Sequence, residues 1–201
     1  MLFRSEPTAV VASSSSVNLS CFESGDGSIS LEANGGTGAY TYRVNQDGLG
    51  YGSNIAFTNS NSTVLENLVA GTYEIQIQDA NGCYFEENDL PKTITIEVTQ
   101  PNFLEISNAT ITDLTGFELS NGSIVTTVIG GTEPYTYVWT NALNEVQTST
   151  TNSITNISAD IYTLNITDAQ GCTTTGTYEV TQPDLLEISI SQEAFILCNA
   201  D

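Results

Sequence analysis

The chain has 201 residues, and 39% of them are hydrophobic, which is enough to build packed cores and excludes wholesale disorder. Acidic residues outnumber basic ones by 24 to three, histidine is absent, and the formal net charge is -21. No basic patch could displace counterions from phosphates, so we expect no nucleic-acid partner. No run of 18 apolar residues occurs, so we expect no membrane insertion.

Catalysis is not expected either. The usual serine and cysteine triads need a histidine, and the sequence contains no GxSxG, HExxH or P-loop motif. We therefore predict that the protein is not an enzyme, with no catalytic residue and no cofactor-binding residue. A calcium ion is the one cofactor considered below.

The first 16 residues are expected to be a lead-in to the folded part of the chain. They lack the sustained apolar segment of a signal peptide, so we expect the natural N-terminus to lie further upstream. The opening Met-Leu-Phe-Arg-Ser resembles a translated sequencing adapter, and we interpret it as an assembly artefact.

Beyond the lead-in the sequence predicts short β-strands separated by turns. Apolar and polar side chains alternate in residues 27–31, 40–44, 73–78 and 94–98. This alternation is typical of antiparallel sheets with one buried and one solvated face. The turn at residues 79–82 ends in glycine, which accepts the positive φ of a tight hairpin. The predicted fold class is all-β.

The same order of strands and turns occurs twice, and this repeat predicts the domain organisation. Residues 27–30 recur as 122–125, 35–44 as 130–139, 67–83 as 156–172, and 97–107 as 179–189. We predict tandem immunoglobulin-like or fibronectin-like β-sandwich modules over residues 17–101 and 102–183. Residues 184–201 match the approach to the first copy, so we expect the start of a truncated third repeat and a chain that belongs to a longer array.

Two insertions distinguish the first copy from the second, around residues 46–54 and 84–92. They carry Tyr51, Tyr84 and Phe85, whose rings could stack on sugars. We therefore treat these three aromatic side chains as candidate ligand contacts.

The second insertion is also acidic. Its carboxylates are Glu86, Glu87 and Asp89, and Asp79 lies close by in the sequence. Carboxylate oxygens are the ligands that calcium prefers, which makes these four residues calcium candidates. The alternative is a solvated acidic loop that binds no metal.

Four sequence blocks carry a family resemblance. GDGSIS, GGTGAYTY, LVAGTYEIQIQDANGC and EVTQP follow one another in an order and spacing that resemble the SprB-type repeat of Bacteroidetes surface adhesins. The resemblance covers both copies and the beginning of a third. It implies a cell-surface filament, exported by the type IX route, that serves adhesion or gliding motility.

The cysteines are expected to form disulfides in an extracellular setting. The resemblance implies two cysteines in a repeat and hence a Cys21–Cys83 bond, with Cys172 unpaired because Gly116 replaces its partner. Sandwich geometry favours Cys21–Cys172 instead. Cys21 and Cys83 would lie at opposite ends of a module, roughly 23 Å apart, whereas stacked modules bring Cys21 near Cys172. We take Cys21–Cys83 as the working expectation. A non-reducing peptide map would distinguish it from Cys21–Cys172.

These features predict a non-catalytic structural segment of a secreted, extracellular surface adhesin that acts as an extended stalk. Its expected partners are neighbouring repeats of the same polypeptide, with extracellular polysaccharide or other surfaces as further candidates. Two alternatives stay open: a carbohydrate-binding module, and a spacer within a large secreted polysaccharide-degrading enzyme.

Overall fold

A computed structural model describes residues 8–87 and 90–189, and it is all-β over these ranges, as the alternating pattern predicts. The described part contains fifteen strands and no helix, so it has no helix with the length and apolar character needed to cross a membrane.

The first repeat forms two sheets that face each other, plus a small hairpin. One sheet has the order β1-β2-β5, the other β4-β3-β6-β9, and β7 pairs with β8. The strands are β1 (Val11–Val17), β2 (Gly27–Asn34), β3 (Thr41–Gln46), β4 (Ile55–Ala56), β5 (Ser62–Leu68), β6 (Gly71–Gln78), β7 (Glu86–Glu87), β8 (Leu90–Pro91) and β9 (Ile94–Val98). Neighbouring strands in both sheets pair antiparallel.

One hydrophobic core fills the space between these two sheets. Ile29 and Leu31 of β2 are fully buried, as are Ile75 and Ile77 of β6 on the opposite sheet. Because side chains on a strand alternate between its faces, the residues between them point to the other side. The sequence alternation therefore produces a sandwich with its apolar faces turned inward.

The second repeat builds the same arrangement. Its sheets have the orders β10-β11-β13 and β12-β14-β15. The strands are β10 (Glu105–Thr112), β11 (Gly122–Ile129), β12 (Thr136–Thr140), β13 (Ser153–Ile157), β14 (Asp160–Thr167) and β15 (Thr173–Val180). Ile124, Trp139, Leu164 and Ile166 are its fully buried side chains of largest volume.

The strand order is that of an immunoglobulin-like sandwich. In each repeat a tyrosine near the start of the strand after the sheet-to-sheet crossing donates its hydroxyl back to the backbone. Tyr73 donates to the Val69 carbonyl at 2.9 Å, and Tyr162 donates to the Ser158 carbonyl at 3.1 Å. This tyrosine corner is a hallmark of the immunoglobulin fold, and it anchors the loop that carries the chain from one sheet to the other.

The first sheet begins earlier than the sequence indicated. Strand β1 covers Val11–Val17 and pairs with β2 along its whole length, so residues 11–16 belong to the sheet and not to a lead-in. Most of its side chains are exposed, because β1 is an edge strand. Backbone hydrogen bonds hold β1 on the sheet, and its side chains do not need to be apolar. The four serines in this strand therefore show no apolar alternation from which a strand could be predicted. The proposed artefact at residues 1–5 lies outside the described residues.

The described chain divides into two compact units. The first contains residues 8–87 and 90–107 together with two loop regions of the second repeat, Val128–Thr136 and Ile166–Thr174. The second contains Asn108–Thr127, Tyr137–Asn165 and residues 175–189. The module boundaries at residues 101 and 183 stay predictions. Most of the predicted third repeat lies outside the described residues, and residues 184–189 contain no strand.

Trp139 provides a direct test of the second core. Its side chain is fully buried, and its indole N–H donates to the Thr151 carbonyl at 2.9 Å. We expect Trp139→Ala to lower the free energy of unfolding by about 3–5 kcal/mol, because a large cavity and an unpaired carbonyl remain. Denaturant unfolding followed by circular dichroism measures this, since the variant has no tryptophan fluorescence. The control is Val138→Ala at the neighbouring, partly exposed position, which should lower the free energy of unfolding by no more than about 0.5 kcal/mol. Equal losses of stability in the two variants would contradict the assignment of Trp139 to the second core.

Candidate functional site

A buried carboxylate organises the hairpin after β6. Asp79 is 3% exposed and accepts hydrogen bonds on both oxygens. Oδ2 receives the Thr37 amide at 2.9 Å and the Thr37 hydroxyl at 2.8 Å. Oδ1 receives the Asn81 amide at 3.0 Å and the Cys83 amide at 2.8 Å. We call this arrangement the aspartate cage. It holds Cys83 at a defined place beside the loop that contains Thr37.

The second repeat contains an equivalent cage. Asp168 accepts the Thr132 amide at 2.8 Å, the Gln170 amide at 2.9 Å and the Cys172 amide at 2.9 Å. Gly36 and Gly131 have φ of 58° and 63° and lie against these carboxylates. A Cβ there would approach Asp79 Oδ2 to 2.7 Å or Asp168 Oδ2 to 2.9 Å, so only glycine fits.

The cage determines the ionisation of Asp79. Burial alone would raise the pKa of this carboxyl. Hydrogen bonds from Thr37, Cys83 and Asn81 outweigh the burial, so the pKa of Asp79 lies below its ordinary value. The carboxylate is therefore charged at neutral pH and serves as the acceptor on which the hairpin is built.

A disulfide joins the first repeat to the hairpin of the second. Cys21 is bonded to Cys172, with Cα atoms 5.8 Å apart, and the two positions are 151 residues apart in sequence. The Ser20 carbonyl oxygen lies 3.5 Å from Cys172 Sγ. Next to the bond, the Phe22 and Phe103 rings meet edge to face with centroids 5.7 Å apart. All of these residues belong to the first compact unit.

The loop that presents Cys21 is held by its own polar contacts. Asp26 accepts the Ser20 amide at 3.0 Å, the Ser20 hydroxyl at 2.5 Å and the Ser24 hydroxyl. The Ser20 hydroxyl, the Ser24 hydroxyl and the Ser20 amide lower the pKa of Asp26 to about 2. The Glu23 amide also donates to Gln100 Oε1 at 2.9 Å. Cys21 is thus presented from an ordered turn.

The expected Cys21–Cys83 bond is wrong in this structure. Cys83 is a free, exposed cysteine. Gly71 at the start of β6 pairs with Val98, near the end that carries Cys21, whereas Cys83 follows the far end of β6. The eight residues of β6 separate the two cysteines by roughly 23 Å, which no disulfide spans.

Two of the three predicted ligand-contact aromatics come together around an arginine. The Arg43 guanidinium carbon lies 4.9 Å from the Tyr51 ring centroid and 5.6 Å from the Tyr84 ring centroid. Arg43 donates from Nε and Nη2 to Gln76 Oε1 at 2.9 Å and 2.6 Å. We call Arg43, Tyr51 and Tyr84 the arginine–tyrosine cluster. Val138 occupies the position of Arg43 in the second repeat.

Phe85 does not belong to this cluster. Its ring is partly buried and packs against the first core, and Lys92 Nζ lies 5.3 Å from the ring centroid.

Arg43 was missed by sequence reasoning, although two signals pointed to it. It is one of only three basic residues, and it occupies an outward position in an alternating strand.

The calcium candidates are not gathered into a visible site. The described residues contain no group of three or more histidine, cysteine, aspartate or glutamate side chains placed to hold a metal ion. Both oxygens of Asp79 are engaged by the cage, and Glu86 is exposed. Asp89 lies outside the described residues, and the side chain of Glu87 is not described. Calcium binding stays a prediction.

The aspartate cage can be tested by an isosteric change. Asp79→Asn replaces one carboxylate oxygen by an NH2 group that cannot accept from its neighbours. We expect the free energy of unfolding to fall by about 1–3 kcal/mol at pH 7, measured by denaturant titration. Because the folded pKa of Asp79 is lowered, the wild-type advantage should persist above the unfolded pKa of about 3.9 and disappear as pH falls through the folded value.

The matched control is Asp184→Asn, at an exposed position. This change should alter the free energy of unfolding by no more than about 0.5 kcal/mol, both at pH 7 and at a pH below the folded pKa of Asp79. Asp79→Asn behaving like Asp184→Asn would show that the cage does not stabilise the hairpin.

Comparisons with known proteins place these features in context. No curated protein matches the sequence. Among solved structures, a C-terminal 282-residue fragment of intimin, solved in complex with the intimin-binding domain of its translocated receptor, is 16% identical with a TM-score of 0.42. The alignment covers 90% of this chain and 65% of the intimin fragment.

Two further structures are similar at lower scores. An amphioxus IgVJ-C2 molecule is 14% identical with a TM-score of 0.32, over 82% of this chain and 100% of its own. A biofilm-associated protein BSP domain is 16% identical with a TM-score of 0.30, over 90% of this chain and 30% of its own. Likenesses this distant carry no inference about function.

The family comparison is more specific, because it matches both copies of the repeat. The SprB repeat model matches residues 13–48 and 108–144. The first matched segment begins in β1, includes the loop that carries Cys21 and extends past β3. The second begins in β10, includes the equivalent loop with Gly116 and extends past β12. Two segments of the chain are therefore similar to the SprB repeat.

Proposed function

We propose that the chain is a non-catalytic structural segment of a secreted, cell-surface adhesin, in which consecutive repeats are linked covalently and extend as a stalk. The observation that carries the proposal is the Cys21–Cys172 disulfide, which joins a loop of one repeat to the hairpin of the next. The two SprB-type segments support the repeat character of the chain.

The disulfide has a mechanical consequence that suits a stalk. The two cysteines are 151 positions apart, and the segment between them includes the strands of both repeats except β1 and β15. A pulling force applied to the chain ends passes through the bond and cannot extend the enclosed segment until the bond is broken. Chains that hold a cell to a surface carry such loads, and a covalent bypass keeps them from lengthening when a sandwich unfolds.

Single-molecule pulling tests this proposal. With the disulfide intact, the segment between Cys21 and Cys172 should not extend. Reduction should release about 500 Å of additional contour length, at 3.3–3.6 Å for each of the 151 positions that separate the two cysteines. Cys21→Ser should show the longer extension without reductant, whereas Cys83→Ser should behave as the wild type. Full extension of the unreduced wild-type chain would contradict the proposal.

A second candidate function is glycan binding by the arginine–tyrosine cluster. Tyr51 and Tyr84 are both half-buried, which leaves ring surface that could contact a sugar. The Tyr51 hydroxyl lies 3.3 Å from the Thr93 hydroxyl, and Gln76 Nε2 donates to Thr93 at 3.2 Å, so the cluster is held in place. Because the net charge of -21 repels polyanions, neutral polysaccharide fits better than an acidic one.

A glycan array followed by calorimetry tests this candidate. We expect Tyr51→Ala or Tyr84→Ala to weaken binding about tenfold, which corresponds to the loss of one ring contact. Phe117→Ala, at an exposed aromatic position of the second repeat, should leave the affinity unchanged. A wild-type chain that is inert on the array would remove the candidate, as would an equal effect of the Phe117→Ala change.

A further inference from the structure

The surface around Cys83 is the counterpart of the surface that the Cys21 loop occupies in the second repeat. In the second repeat the loop lies on the hairpin cysteine Cys172 and on Phe103. At the equivalent positions the first repeat has Cys83 and Ala9. Cys83 carries no disulfide and is exposed.

The backbone frames of the two surfaces agree closely. The Gly36 amide donates to the Thr8 carbonyl at 2.7 Å, and the Gly131 amide donates to the Asn102 carbonyl at 2.8 Å. The aspartate amide donates to the cysteine carbonyl at 2.9 Å in both hairpins. The cysteine amide is held by its aspartate at 2.8 Å in one repeat and 2.9 Å in the other. The first hairpin is therefore built to present its thiol as Cys172 is presented.

An open cavity lies beside the Cys83 thiol. Its volume is about 220 Å³, and its lining includes Ala9, Val10, Gly36, Cys83 and Tyr84. Ala9 occupies the place of Phe103, so the edge-to-face ring of the second repeat is missing here and space is left for an incoming side chain. The Tyr84 ring supplies an aromatic wall in its place.

We propose that this surface is the acceptor for a cysteine–aromatic loop of the Ser20–Glu23 type, carried by another copy of the repeat and closed by a disulfide to Cys83. The occupant follows from the second repeat, where the same frame holds such a loop. Within the described residues Cys21 is already bonded, and the equivalent loop of the second repeat has Gly116 in place of cysteine. The inference rests on the proposed array only in taking the donor from a further repeat.

The bond can form by thiol–disulfide exchange. The Cys83 thiolate attacks the sulfur of a loop cysteine that is already oxidised as a disulfide with a second thiol compound. The new sulfur–sulfur bond forms as the old one breaks, and the second thiol leaves and takes up a proton. No net oxidation is required at this step, because the donor disulfide supplies the oxidised sulfur.

A peptide-exchange assay tests the contact. The fourth cysteine of the sequence is removed by Cys198→Ser, so that Cys83 is the thiol under test. The full chain is then incubated with the symmetric disulfide of a peptide spanning residues 17–27, and the adduct at Cys83 is followed by mass spectrometry. We expect this peptide to couple about tenfold faster than the same peptide with Phe22→Ser, which has equal charge but lacks the ring. Ala9→Glu in the protein should abolish the difference by filling the cavity. Equal rates for the two peptides would overturn the proposal.

A second experiment maps the disulfides of the natural protein. Free thiols are alkylated before digestion without reductant. We expect the Cys83 peptide to be disulfide-linked to a cysteine peptide from another repeat, whereas recovery of alkylated Cys83 would overturn the inference. The same digest reports Cys172. A Cys21–Cys172 link together with alkylated Cys83 removes only this inference, whereas loss of the Cys21–Cys172 link removes the proposed covalent stalk.

Discussion

The hydrogen bonds that a buried aspartate accepts from the backbone place the hairpin cysteine in each repeat. Asp79 and Asp168 accept amides from the residue two positions on and from the cysteine four positions on, and each also accepts an amide from the double-glycine loop. A buried carboxylate is costly unless its oxygens are satisfied, so the loop and the hairpin must come together for either to be stable. This requirement presents a cysteine at the end of the sandwich, where a disulfide with another repeat can form.

The remainder of the fold supports that end. The core between the two sheets of the first repeat fixes β6, and β6 leads directly into the hairpin. The tyrosine corner at Tyr73 anchors the opposite end of β6, and Tyr162 does the same for β14 in the second repeat. At that opposite end Asp26 orders the loop that carries Cys21. The first repeat thus has a cysteine loop at one end and a cysteine hairpin at the other, whereas the second repeat has the hairpin cysteine but Gly116 at the loop position.

Much of this fold could be predicted from the sequence because its physical causes are local. Alternation at residues 73–78 gave the buried face of β6, with Tyr73, Ile75 and Ile77 in the core. Strand β1 escaped prediction because an exposed serine edge is held by backbone pairing, which leaves no side-chain pattern. Asp79 was considered a metal ligand, although the recurrence of Asp168 at the same place indicated a structural role.

The tertiary contacts could not be predicted in the same way. Tyr84 is distant in sequence from Arg43 and Tyr51, and the three meet only when β3 and the two insertions are placed together. The cysteine pairing required a choice between a family resemblance and the length of a strand. The strand length decides it, since eight extended residues separate Cys21 from Cys83 whatever the cysteine count suggests.

The most direct test of the covalent link is disulfide mapping of the intact 201-residue chain by mass spectrometry. The chain is alkylated, digested under non-reducing conditions and analysed for linked peptides. The structure predicts a peptide pair joined through Cys21 and Cys172. A pair joined through Cys21 and Cys83, or alkylation of both Cys21 and Cys172, would contradict the covalent connection between the repeats.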